Sequence, residues 1–179
     1  MIMETVTPSA ESVTNTTYAG FWWRFLAYLI DDIIVSFATF IVFAPIWAVM
    51  GFSLFRMSNW YDTDWDFDSG VDPGAWQFIG SVVGLAIISA LLATAINWLY
   101  YALMESSKYQ ATLGKMAVGA RVTDLEGNRI SFARATGRYF AKIISGMILM
   151  IGYIMAGFTE KKQALHDMIA NTLVIKILK

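Results

Sequence analysis

Residues 76–104 read WQFIGSVVGLAIISALLATAINWLYYALM, a run without one charged side chain. A helix needs about 20 predominantly apolar residues to cross the hydrocarbon of a bilayer, so this stretch predicts a membrane-spanning helix over Trp76–Met104. Towards the N-terminus, Phe25–Met50 is apolar apart from Asp31, Asp32 and a few hydroxyls, and predicts another. Pro45 near its far end predicts a kink, because proline removes a helical hydrogen bond and neighbouring helices compensate the freed carbonyl. Gly80 and Gly84 give the second helix the small-xxx-small spacing that lets two backbones approach closely. The same spacing also arises readily by chance.

A third apolar run, Ile143–Phe158, is shorter and interrupted by Gly146, Gly152 and Gly157, so it either spans or re-enters. Before it, Val118–Val122 reads as a short strand, Asp124–Asn128 as a turn and Arg129–Phe132 as a return strand. Thr172–Ile177 is strand-like as well. The expected fold class is therefore an all-α integral membrane protein with two transmembrane helices, a third short spanning or re-entrant helical segment, and a small cytoplasmic β-hairpin or strand element. Residues 1–17, Ser/Thr-rich with Glu4 and Glu11, lack the basic and apolar regions of a cleavable signal and are expected to be a disordered tail ahead of a membrane domain over 18–179.

Composition agrees: 57% hydrophobic and 15% charged residues are too apolar for an ordinary soluble domain. A net charge of −1 gives no field that attracts nucleic acid. The absence of cysteine excludes disulfides, thiolate metal sites and cysteine nucleophiles. Charge placement carries the orientation. The segment 105–142 holds Lys108, Lys115, Arg121, Arg129, Arg134, Arg138 and Lys142, whereas 51–75 holds Arg56 against five aspartates. By the positive-inside rule the basic segment and the N-terminus are cytoplasmic and the acidic loop external. Trp22, Trp23, Trp60, Trp76 and Trp98 near the helix ends suit the interface. A spanning third run would put Lys161, Lys162, Lys176 and Lys179 outside, against the rule. Re-entry would keep them inside and let the final strand pair with Val118–Val122.

Charges inside the first helix are the chemically informative ones. Arg24 and Asp31, two turns apart, share a face with Tyr28, and Asp32, Ser36 and Thr39 continue a polar stripe beside it. An aspartate near mid-helix costs roughly 2.5–3.5 kcal/mol on insertion scales, so two adjacent ones call for partners or a proton. Thr94, Asn97, Tyr101 and Glu105 make a second stripe on the second helix. The stripes suit a proton or monovalent cation site, and equally a polar network that locks helix packing.

Other motifs fall away. Asp62, Asp64, Asp66 and Asp68 are spaced like the start of a calcium loop, but the glycine comes late and the twelfth position is not glutamate. His166 beside Asp167 lacks a nucleophile to relay for. Gly114-Lys115 lacks the first glycine and the hydroxyl residue of a phosphate loop. No metal, cofactor or enzymatic activity is therefore expected.

Tyr18-Ala19-Gly20-Phe21-Trp22-Trp23-Arg24-Phe25-Leu26-Ala27-Tyr28-Leu29-Ile30-Asp31 resembles the signature of the RDD family, named for one arginine and two aspartates. Leu113–Val122 resembles the family's Gly-Lys segment, and Gln163–Thr172 its closing His-Asp motif. The resemblance implies that Arg24, Asp31 and Asp167 are the named triad, with Asp32 outside the motif; the polar stripes supply Asp32, Tyr28, Asn97 and Glu105 as candidate accessory residues. It also implies a multi-pass protein of the bacterial inner membrane in which transport, sodium/proton antiport included, is the suggested activity. With so few spans, a transporter of this kind would work as a homo-oligomer. The alternative is a non-transporting assembly protein whose triad is structural and whose basic face binds lipid or a partner.

Overall fold

The computed structural model describes residues 16–58, 73–148 and 150–177. The acidic stretch Asp62–Asp68, residues 1–15 and Lys179 lie outside them. In chain order the elements are β1 (Thr16–Tyr18), α1 (Phe21–Ser58), α2 (Pro73–Glu105), α3 (Leu113–Ala117), β2 (Ala120–Asp124), α4 (Phe132–Met147), α5 (Ile151–Ile154) with a 3-10 turn over Met155–Gly157, α6 (Leu165–Ile169) and β3 (Thr172–Ile177).

Among the described residues, two helices are long and apolar enough to cross a membrane, over Phe21–Ser53 and Ile79–Glu105. The helices that contain them, Phe21–Ser58 and Pro73–Glu105, both exceed the lengths expected from sequence, and α1 continues as helix through Pro45. Their surfaces are turned outward: Phe40 is 68% and Leu91 65% exposed, among many aliphatic and aromatic neighbours. Apolar surface on that scale needs a solvent other than water, and a bilayer supplies it. Nothing lies within 4 Å of a Cβ built at Gly80 or Gly84, so these glycines serve no close approach among the described residues.

The described chain divides into two compact units, one of residues up to Asp31 with those from Tyr100 onward, the other of Asp32–Leu99. The first unit carries a three-stranded antiparallel sheet in the order β1-β3-β2. β3 is the middle strand, pairing Thr16 with Ile177 on one side and Val122 with Val174 on the other. The expected pairing of the last strand with the Val118–Val122 region is thus present, two residues further along.

The expected return strand Arg129–Phe132 is absent. Asp124 closes the turn instead, its carboxylate accepting the amides of Glu126 (3.1 Å) and Asn128 (2.7 Å) with Gly127 at φ +87°. Ser131 then caps α4 by accepting the Arg134 amide at 3.2 Å. A helix begins where a strand was expected because the capping hydroxyl satisfies a helical N–H. The expected tail likewise ends two residues early, since Thr16 and Thr17 belong to β1. The third apolar run is no single straight helix: Phe132–Met147 and Ile151–Gly157 meet at 116°, with Met150 left-handed at φ 61°.

The core of this unit is built from small residues. Ala19, Ala27, Ala102, Ala111, Ala135, Ala141, Ala156 and Ala164 are buried around Val122, Ile130 and Val174. Short side chains bring backbones close and leave the remaining interior to a set of buried charges.

Candidate functional site

Arg24 opens α1, and its guanidinium points back out of the helix. Its Nε donates to the Ala19 carbonyl at 2.8 Å, one terminal nitrogen to the Lys162 carbonyl at 2.6 Å, and the other pairs with Asp167. Asp167 sits in the first turn of α6, where a carboxylate favours the helix N-terminus and here also accepts the Ala164 amide at 3.2 Å. Its second oxygen takes Arg138 from α4, through Nε at 2.8 Å and Nη2 at 2.7 Å. The remaining Arg138 nitrogen donates to Glu105 Oε2 at 2.8 Å. Glu105 ends α2, and its other oxygen meets Lys115 directly and the Lys142 ammonium at 3.8 Å. Lys142 also lies 4.1 Å over the Tyr101 ring.

Five elements are thereby tied through one alternating chain of charges: Arg24, Asp167, Arg138, Glu105, then the two lysines. Asp167 and Glu105 are essentially fully buried, as is Arg138. Buried ions persist only when paired and hydrogen-bonded, and each of these is. Burial alone would raise the Asp167 carboxyl. The guanidiniums of Arg138 and Arg24 outweigh it and hold the group well below the ordinary carboxylate range. Burial pushes the neighbouring His166 down to about 3 against the pull of Asp167, so its ring is neutral near pH 7. Ser145 Oγ stands 3.3 Å from its Nδ1.

Asp31 belongs to a separate cluster. One oxygen accepts the Tyr100 hydroxyl at 2.7 Å and the Gly114 amide at 2.7 Å, the other the Thr112 hydroxyl at 2.5 Å. Thr112 in turn caps α3. Gly114 is required here: a Cβ would stand 2.1 Å from the Ala27 carbonyl oxygen and 2.8 Å from Asp31 Cγ. Asp31 therefore pins the start of α3 against α1, and from the next position Lys115 reaches Glu105.

Of the residues singled out from sequence, Arg24 and Asp167 meet, whereas Asp31 contacts neither. Tyr28 is 57% exposed and lies apart from the network. Glu105 is not accessory but central. Arg138, Lys115 and Lys142 were read as part of a basic surface, and they turn inward instead. The signal for α4 was present: Ala135, Arg138, Lys142 and Ser145 recur at helical spacing on one face.

Asp32 and Asn97 occupy a different place, in the unit Asp32–Leu99. A mostly apolar groove of about 640 Å³ runs between α1 and α2, with Asp32, Ser36 and Thr39 set among Val35, Phe43 and Trp47 on one side and Ser89 and Asn97 among alanines on the other. Asn97 Nδ2 donates to the Ala93 carbonyl at 3.0 Å and Ser89 Oγ to that of Leu85 at 2.7 Å. Thr39 Oγ1 is buried without a hydrogen-bond partner. The exposed Asp32 carboxylate makes no hydrogen bond or ion pair among the described residues. Carboxylate, hydroxyl and amide oxygens in one groove suit a proton or a hard monovalent cation. Among the described residues no group of three His, Asp or Glu is placed to hold a metal.

The RDD family model matches residues 18–171. The chain is 40% identical over 158 residues to an uncharacterized protein, YxaI, of Bacillus subtilis (strain 168), covering 88% of this chain and 96% of that one. It is 29% identical to an uncharacterized membrane protein, YteJ, of the same organism, over 94% of this chain and 87% of the other. No solved structure matches the chain.

Proposed function

Since the chain belongs to the RDD family of membrane proteins, we propose that it is a small transporter, not an enzyme, moving a proton, a monovalent cation or a small solute coupled to one. The observation that carries this reading is Asp32, a carboxylate inside a membrane-spanning helix, in a groove that also carries Ser36, Thr39, Ser89 and Asn97, with no partner among the described residues. A group that costs roughly 2.5–3.5 kcal/mol to insert is retained where it binds something. Asp31, by contrast, has its oxygens occupied by the three donors of α2 and the α3 segment. On this reading the triad Arg24, Asp31 and Asp167 is scaffold, and the ion-binding carboxylate is Asp32. Two spanning helices cannot enclose a pathway, so the working form is a homo-oligomer. The basic segment and the N-terminus face the cytoplasm of a bacterial cell.

The alternative, a non-transporting protein with a basic docking face, draws support from the saturated triad. It loses support because Lys115, Arg138 and Lys142 are spent on Glu105.

The test is cation-dependent proton flux in vesicles of purified protein, with sodium and potassium compared. Flux is expected in the wild type and lost in Asp32→Asn, with unfolding temperature unchanged. Flux that survives in Asp32→Asn, or is absent throughout, overturns the reading.

A further inference from the structure

The amphipathic helix α4 is inside out. Its buried positions are Ala135, Arg138, Ala141 and Ser145, and Ile143, Ile144 and Met147 face outward, Met147 at 80% exposure. A helix at a water-facing surface shows the opposite arrangement. Beyond the 116° bend the apolar surface continues through Ile151 and Ile154 to Phe158, around a depression of about 370 Å³. A Cβ at Gly157 would stand 3.8 Å from Phe21, so this surface adjoins the first turn of a membrane-spanning helix.

Sheet topology fixes which way this segment travels. β1 precedes α1, β2 follows α2, β3 follows α5, and all three share one hydrogen-bonded sheet. An open sheet cannot stand in hydrocarbon, so its strands lie on one side of the membrane. The chain crosses twice between β1 and β2. Between β2 and β3 it must cross an even number of times, and α4 with α5 is far too short for two crossings at about 20 residues each.

We infer that α4 and α5 form a re-entrant wedge, entering and leaving the leaflet nearest the sheet from the same side, with lipid acyl chains covering the outward face. The occupant is lipid because the face is continuous with a spanning helix and because the charged side chains along the apolar part of α4, Arg138 and Lys142, are turned away from it onto Glu105, while the third, Arg134, lies in the first turn beside Asp124 at 3.9 Å. A patch of this size left to water would be an aggregation site.

The chain has no cysteine, so single cysteines report position without background. Glu126→Cys in the turn before α4 and Lys161→Cys after α5 are both at exposed residues. With a membrane-impermeant maleimide on intact cells and on inverted vesicles, both are expected to label from the same side. Labelling from opposite sides overturns the inference. A spin label at Ile144→Cys in phosphatidylcholine/phosphatidylglycerol vesicles is expected to collide with oxygen in preference to a water-soluble nickel chelate, the reverse of Glu126→Cys. Preference for nickel, or protection from both reagents by a second copy, overturns it as well. Met147→Cys repeats the measurement on the same face should Ile144→Cys fail to fold.

Discussion

Arg24 and Asp167 stand 143 residues apart in the chain and form one buried ion pair. The first turn of the first membrane helix is thus fastened to the short helix that precedes the last strand.

Removing either partner leaves the other charge buried and uncompensated, so Arg24→Ala and Asp167→Ala are each expected to cost roughly 3–5 kcal/mol. The double variant is expected to cost clearly less than the sum. Thermal unfolding in detergent across the four-member cycle measures both.

Gly114 and Gly84 make a matched contrast. Gly114→Ala drives a methyl into the Ala27 carbonyl and Asp31, an overpacking with a typical cost of about 1–3 kcal/mol and more where backbone is struck. Gly84→Ala meets nothing and is expected to be neutral or stabilising by up to about 1 kcal/mol through helix propensity. The two unfolding temperatures, compared with wild type, decide it.

Glu105 holds three cations together. Glu105→Gln leaves Arg138, Lys115 and Lys142 facing one another and is expected to lower the yield of folded, monodisperse protein severely. Lys142→Met, which removes only the more distant and partly exposed ammonium, is expected to stay within about 1 kcal/mol of wild type. Size-exclusion profiles and unfolding curves of the pair test the ranking.

His166 supplies the pH dependence. Its folded value lies at about 3 against an ordinary 6.5 because burial disfavours the charged ring, so the unfolded state binds the proton first. The stability this contributes is complete above pH 6.5 and is lost as pH falls towards 3, at about 1.4 kcal/mol per unit. Asp167, also held low, adds its loss only below the ordinary carboxylate range. Between pH 6 and 4.5 the wild type is therefore expected to lose stability faster than His166→Gln, as unfolding temperatures across that range would register.

What was legible in the sequence was the solvent. The uncharged run Trp76–Met104 and the run around Asp31 reveal membrane helices because length and polarity suffice for that inference. The strand Thr172–Ile177 was legible from β-branched content, and its partner from an unmet edge. The return strand was not, because Ser131 as a cap outweighs the strand propensity of Ile130 and Phe132. The site was legible as residue types and not as pairs. Arg24 and Asp31 share a helix face, which leaves Asp31 and Asp167 both open as partners of Arg24; the guanidinium extends backwards past the helix start to Asp167, which only the tertiary fold brings near. Lys115 and Arg138 counted towards a cytoplasmic positive charge; the spacing of Ala135, Arg138, Lys142 and Ser145 marks one helix face, but no local pattern names Glu105 as what that face meets.

The middle position of β3 fixes the order of assembly. β1 and β2 have no hydrogen bonds to each other and meet only through a strand that lies at residues 172–177. During synthesis both long helices emerge and can enter the bilayer while β1 and β2 still wait for a pairing partner, so the sheet is closed last, after membrane insertion. A chain cut short before residue 172 would present two unpaired strands and no means of joining them.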